Sequence, residues 1–202
     1  MNYVGNKRIN LSEKLIIHRT LLTMKKEQKN IFGNKSEFAI EAILWQIDEH
    51  PIFINYCLWI RYNMVGDIGQ CALLSAEMER IFKVVQLKGQ RQMPFENLSA
   101  SVLTDKLIEN TWGNASGYNQ NVTLSNIDIL SQHGECFQGY YVFLIEQQGY
   151  EWLLTKDNVD NKYYDVKIPS DIIYSTFENF SKWIKDSTML VLRSNKASIT
   201  NG

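Results

Sequence analysis

Two short runs of alternating side chains, joined by a tight turn, constrain this chain more than any other stretch of it. From Glu37 to Gln46, Phe38, Ile40, Ala42 and Leu44 fall on one side and Ala39, Glu41, Ile43 and Trp45 on the other, the period of a β-strand. From Ile52 to Arg61, Ile54, Tyr56, Leu58 and Ile60 oppose Phe53, Cys57 and Trp59. Both runs are rich in apolar residues on each side, which predicts strands buried on much of both faces. Asp48-Glu49-His50-Pro51 turns the chain between them, so the pair reads as an antiparallel hairpin and a sheet nucleus.

The rest of the chain adds a second hairpin and two or three helices. Tyr62-Asn63 and Gly66-Asp67 mark a further turn. Met78, Ile81, Phe82 and Val85 then form a helical stripe with Ser75 as its N-cap. Val102-Leu103 and Leu107-Ile108 predict a shorter helix ending near Trp112, and Asn114 to Asn121 a long loop. Strand alternation returns at Gly139 to Glu146 and again at Tyr150 to Thr155 across Gln147-Gln148-Gly149, with one more strand from Tyr163 to Ile168. Pro169-Ser170-Asp171 opens the strongest helix, whose stripe is Ile172, Ile173, Phe177, Phe180, Trp183 and Ile184. Residues 187–192 are apolar enough to dock or to add an edge strand. The fold class is α+β: a mainly antiparallel sheet of hairpins packed against two or three helices.

Residues 1–30 lack strand character and read as an N-terminal appendage, with Met24 as an alternative start. Residues 31–192 form one domain, and residues 193–202 a flexible tail. No apolar run reaches the roughly 18 residues of a membrane span, and the expected compartment is the cytoplasm. The net charge of -1 provides no basic field for nucleic acid. That charge is uneven: residues 1–23 carry a net +3, which leaves -4 for the remainder. Cys57, Cys71 and Cys136 are odd in number and widely spaced, so neither a disulfide framework nor a zinc knuckle is expected.

Few residues point to chemistry. His133-Gly134-Glu135 matches the His-x-Glu half of the zinc deaminase signature, but the Pro-Cys-x-x-Cys half is absent. Cys136 beside it suggests a Cys–His nucleophile only if the two side chains meet in space. A small hydrolase or transferase using His133, Glu135 or Cys136 is therefore the alternative function, and a non-catalytic oligomerising domain a third. Glu77 and Glu79, two positions apart on a helix, cannot form a metal pair on one face. No metal or other cofactor is expected. Trp45, Trp59, Trp152 and Trp183 read as packing residues. Trp112 and Tyr118, in or beside the polar loop, fit protein-binding anchors, and Asp157 and Asp160 an acidic rim for a basic partner.

Phe32-Gly33-Asn34-Lys35-Ser36-Glu37-Phe38-Ala39-Ile40-Glu41, then Leu58-Trp59-Ile60, Gly66-Asp67, Gly134-Glu135-x-Phe137 and the helix from Pro169 to Ile184 occur here in that order. This order resembles bacterial immunity protein family forty-two of polymorphic toxin systems, from about Ile31 to Ile184. The resemblance implies a non-enzymatic binder that occludes the active region of a cognate toxin's C-terminal domain. Its motif residues are structural, so none transfers as a toxin contact, and Trp112, Tyr118, Asp157 and Asp160 are nominated from the residues alone. Two features depart from the family: the first thirty-odd residues precede its usual start, and Cys136 stands where it tends toward a small or polar residue.

Overall fold

The alternating runs form the strands that their periodicity predicts, inside a larger sheet. The computed structural model describes residues 24–47, 53–93, 98–112, 124–147 and 149–199. The first sheet contains β1 (Met24–Asn34), β2 (Phe38–Ile47), β3 (Phe53–Ile60) and β4 (Asn63–Val65) in that spatial order, with β5 (Ala72–Leu73) also paired to β3. The second contains β6 (Tyr140–Gln147), β7 (Tyr150–Asp157) and β8 (Lys162–Pro169), and every pairing in both is antiparallel. The helices are α1 (Leu74–Gln86), α2 (Ala100–Trp112), the single turn α3 (Leu124–Ile127) and α4 (Ile172–Ile199). The architecture is α+β. Among the described residues, no helix is long and apolar enough to cross a membrane.

One main core joins both sheets to α1 and α4. Phe38, Ile40, Ala42 and Leu44 of β2 and Ile54, Tyr56, Leu58 and Ile60 of β3 face it, as do Val142, Leu144, Leu153 and Val166 of the second sheet. Aromatic rings bring α4 onto the first sheet: Phe32 lies 5.4 Å from Phe180 and 5.5 Å from Trp183, and Phe38 lies 6.1 Å from Phe177. The opposite face of the second sheet packs Phe143, Ile145 and Leu154 against Leu103 and Leu107 of α2 and Ile127 of α3.

Four expectations are corrected. Residues 24–30 belong to β1, not to an appendage, because the strand lies at the sheet's edge, where charged residues tolerate and protect an unpaired side. The missed signal is the turn after it. Gly33 has φ +87°, where a Cβ would overlap the Phe38 carbonyl, and Asn34 Oδ1 accepts the Ser36 N–H at 3.0 Å. Met64-Val65 forms the short strand β4. Leu73, not Ser75, stands at the N-cap of α1, without a side-chain cap bond. Residues 187–199 continue α4 as helix, because the apolar register of Phe177, Phe180 and Ile184 extends it past the expected end. The expected turn at Asp48–Pro51, the loop Asn114–Asn121 and residues 1–23 lie outside the described residues.

Two buried charges, neither legible as structural in the sequence, join these elements. Arg91 is 1% exposed and caps the C-terminus of α1, donating to the Val84 carbonyl at 2.8 Å and the Lys83 carbonyl at 3.3 Å. Its guanidinium also donates to the Asn126 carbonyl of α3 at 2.6 Å and to the Tyr174 hydroxyl of α4 at 2.7 Å. Tyr174 in turn donates to Glu146 of β6. Glu151 of β7, also 1% exposed, accepts the N–H groups of Asp171 and Ile173, each at 2.6 Å, and so caps α4 from a neighbouring strand. Burial raises its carboxyl above the ordinary range, against the pull of those two N–H donors. Replacing Arg91 by methionine should lower the free energy of unfolding by about 3 kcal/mol or more, since it strands the carbonyls of Lys83, Val84 and Asn126 and removes a donor from the Tyr174 hydroxyl. Urea unfolding measures this, and a loss below about 1 kcal/mol would contradict the role.

Candidate functional site

The three residues of the catalytic alternative sit together in sequence and diverge in space. His133 lines a cleft of about 430 Å³ between α1 and α3, beside Arg80, Lys83 and Asn126. Gly134, with φ +60°, lies so close to Glu77 that a Cβ there would overlap its carboxylate. Glu77 is thereby buried and accepts the Tyr56 hydroxyl at 2.8 Å. Glu135 is exposed and near Cys71, whose thiol is raised by burial first and by that carboxylate second. Cys136 is 1% exposed, and its S–H donates to the Gln70 carbonyl at 3.3 Å. Burial pushes its thiol up to about 11, the opposite of an activated nucleophile. Among the described residues, no group of three or more His, Cys, Asp or Glu side chains is arranged to hold a metal.

Of the four residues nominated for partner contact, the structure describes the side chains of Asp157 and Asp160. Asp157 is 9% exposed, and its Oδ1 accepts the N–H groups of Val159 at 2.9 Å and Asp160 at 3.1 Å, so it shapes its own turn. Asp160 is exposed and pairs with Lys162 at 2.7 Å. Burial raises the phenol of nearby Tyr140, with further contributions from Asp157, Asp67 and Asp160. The acidic side chains thus do converge in one region. Tyr118 and the side chain of Trp112 lie outside the described residues.

The surface that sequence reasoning missed is the outer face of the first sheet. Because α4 packs on the side of Phe32 and Phe38, the alternate residues Lys29, Ile31, Glu41, Ile43, Trp45, Phe53, Cys57, Trp59 and Met64 share the other side. Trp45 and Trp59 therefore lie away from the main core and are half-buried. Trp45 donates its indole N–H to Asn55 at 2.8 Å, and Trp59 donates to Glu41 at 2.8 Å. Ile31, Met64 and Leu73 are 45%, 42% and 39% exposed on this face, one each on β1, β4 and β5.

Glu41 organises the middle of that face. It is 5% exposed, and its carboxylate meets the ammonium of Lys29 at 2.6 Å and of Lys35 at 2.5 Å. Lys35 Nζ also stands 3.8 Å from the centre of the Trp59 ring. Burial opposes ionisation, but the hydrogen bonds from Lys29, Lys35 and Trp59 outweigh it and hold the carboxyl down at about 2. One carboxylate thus fixes β1, the β1–β2 turn and β3 against one another. The signal available in the sequence was Glu41 itself, a charge inside an apolar alternating run.

An α+β protein with half-exposed tryptophans and an ion cluster on a sheet face that none of the described helices covers has the make-up of a protein-binding module. The model of the family described as Immunity protein 42 matches residues 31–183, and the chain belongs to that family. It is an immunity protein, which neutralises a toxin. No curated protein matches the sequence. Among solved structures, the chain is similar to CdiI from Burkholderia dolosa AUO158, with a TM-score of 0.53 and 14% identity. That likeness covers 75% of this chain and 97% of the other, and at this identity it shows a shared fold.

A folded carboxyl held below its ordinary value stabilises above that value and loses its contribution as pH falls through the folded one. Comparing wild type with Glu41→Gln by urea unfolding should therefore show a stability gap of about 2 kcal/mol at pH 7 that closes between pH 4.5 and about 2. A gap independent of pH would contradict the ion cluster.

Proposed function

We propose that this protein neutralises its toxin by stoichiometric binding that occludes the toxin's active region, without chemistry of its own. Membership of an immunity family carries the reading. The geometry supports it, since His133, Glu135 and Cys136 face a cleft, the solvent and the core respectively. A buried thiol raised to about 11 makes a poor nucleophile at neutral pH, which weighs against the hydrolase or transferase alternative. The partner is the C-terminal domain of a toxin made in the same cell, and on that ground we place the protein in the cytoplasm.

Of the nominated residues, Asp157 and Asp160 enter this reading as rim rather than anchor. Asp157 is engaged by its own turn and Asp160 by Lys162, so neither carboxylate is available without giving up a contact it already makes. Rim charges govern the encounter rate and its salt dependence more than the lifetime of a complex. Replacing Asp160 by alanine should therefore weaken binding by no more than about threefold, mainly at low salt.

The test is to express the C-terminal domain encoded by the open reading frame immediately upstream, with and without this protein, and to titrate protection. Survival that saturates at one immunity protein per toxin, with a complex that co-purifies, is the expected outcome, and His133→Ala should leave it unchanged. Protection at far below equimolar amounts, or its loss in a folded His133→Ala variant, would favour the catalytic alternative. Continued killing with no complex would overturn the toxin pairing.

A further inference from the structure

The β3–β4 connection is where the chain departs furthest from what its residues prefer. Ile60 pairs with Asn63, so Arg61 and Tyr62 alone turn the hairpin, with φ of 47° and 66°. Two-residue hairpins with both φ positive favour Asn-Gly, because a Cβ in the left-handed region crowds the backbone. Two bulky residues occupy those positions here. They are the only adjacent non-glycine pair with positive φ among the described residues. The conformation is imposed by the neighbouring hairpin tip: Arg61 N–H donates to the Glu37 carbonyl at 3.0 Å, and Tyr62 N–H to the Lys35 carbonyl at 2.7 Å.

Beyond these two backbone bonds, the side chains of the pair recover little of the cost of this strain among the described residues. Tyr62 is 71% exposed, so its ring adds little to the core. The Arg61 guanidinium makes no hydrogen bond or ion pair among the described residues, whereas Lys29 and Lys35 engage Glu41, Lys88 engages Asp171, Lys156 engages Asp105, and Lys162 engages Asp160. Met64 and Ile31 lie exposed on the same sheet face. The charges of this end are Lys29, Lys35 and Arg61 against Glu41 and Glu37, a net +1 on a chain of net -1. Lys29 and Lys35 are both spent on Glu41, which leaves the fork of Arg61 as the available positive charge of this end among the described residues.

We propose that Arg61 and Tyr62 anchor the toxin, and that the toxin surface they meet presents a carboxylate to the guanidinium and an apolar recess to the phenol ring. This assignment rests on the binding function proposed above. Arg and Tyr are the residue types that dominate protein interfaces, and a tip locked before binding loses little entropy on docking. Strain kept at an exposed position is the stability given up for a preorganised contact.

The double variant Arg61→Asn with Tyr62→Gly installs the residues that the turn prefers, and therefore separates folding from binding. Against the same toxin domain, wild type should form the complex; if it does not, the binding function itself fails and the variant is uninformative about it. Given a wild-type complex, the double variant should melt a few degrees higher, roughly 2–4 °C or more, and bind at least about thirtyfold more weakly. Arg61→Glu should also bind at least about thirtyfold more weakly while keeping the wild-type circular dichroism spectrum. Affinity within about twofold of wild type in the double variant would overturn the proposal. So would weaker binding accompanied by a lower Tm, since the pair would then be holding the fold. A dimer of this chain abolished by the double variant, with toxin affinity unchanged, would assign the face to a second copy and overturn it as well.

Discussion

A carboxylate taken almost wholly out of water on the side of the first sheet away from α4 is the constraint on which the binding face depends. Glu41 would be costly there alone. Lys29 from β1, Lys35 from the β1–β2 turn and the Trp59 indole from β3 offset that cost, and in doing so place three strands in fixed register. Ala39 and Cys57, on the same face of these strands, are fully buried. The same cluster positions the β1–β2 turn, whose carbonyls hold Arg61 and Tyr62. Interior electrostatics and a strained, exposed hairpin are parts of one arrangement.

The opposite side of the molecule serves as rigid support. Arg91 joins the end of α1 to α3 and α4, and Glu151 fixes the start of α4 from β7. Both satisfy helix-end groups that would otherwise be stranded in the core. A sheet braced in this way can present a preformed surface to a partner, which limits the ordering cost of association.

How much of this the sequence revealed follows from the range of each interaction. The strands β2, β3, β6, β7 and β8 and the amphipathic start of α4 were legible, because period and turn residues are local properties. β1 was not, since an edge strand carries charges that resemble a loop, and only Gly33-Asn34 hinted at the turn that pairs it. Arg91 and Glu151 carry no local signal of their structural role, because their partners Tyr174 and Ile173 lie 83 and 22 positions away. Tyr62-Asn63 marked a turn one residue from its place, but Arg61-Tyr62 lacks the glycine or asparagine that announces a two-residue hairpin, so its strained form was not legible. Trp45 and Trp59 were read as core because apolar alternation does not say which face of a strand is covered.

The central claim is that the face of the first sheet turned away from α4, ending in the Arg61-Tyr62 tip, is the toxin-docking surface. Hydrogen exchange of the free protein and of its toxin complex tests it most directly, since it maps the contact without altering a residue. Slowed exchange in the complex across residues 35–37 and 60–64, with little change at 157–162, is the predicted pattern. Protection confined to 157–162 and 112–121, with the two hairpin tips unchanged, would contradict it and return the anchor to the acidic turn and the aromatic pair Trp112 and Tyr118.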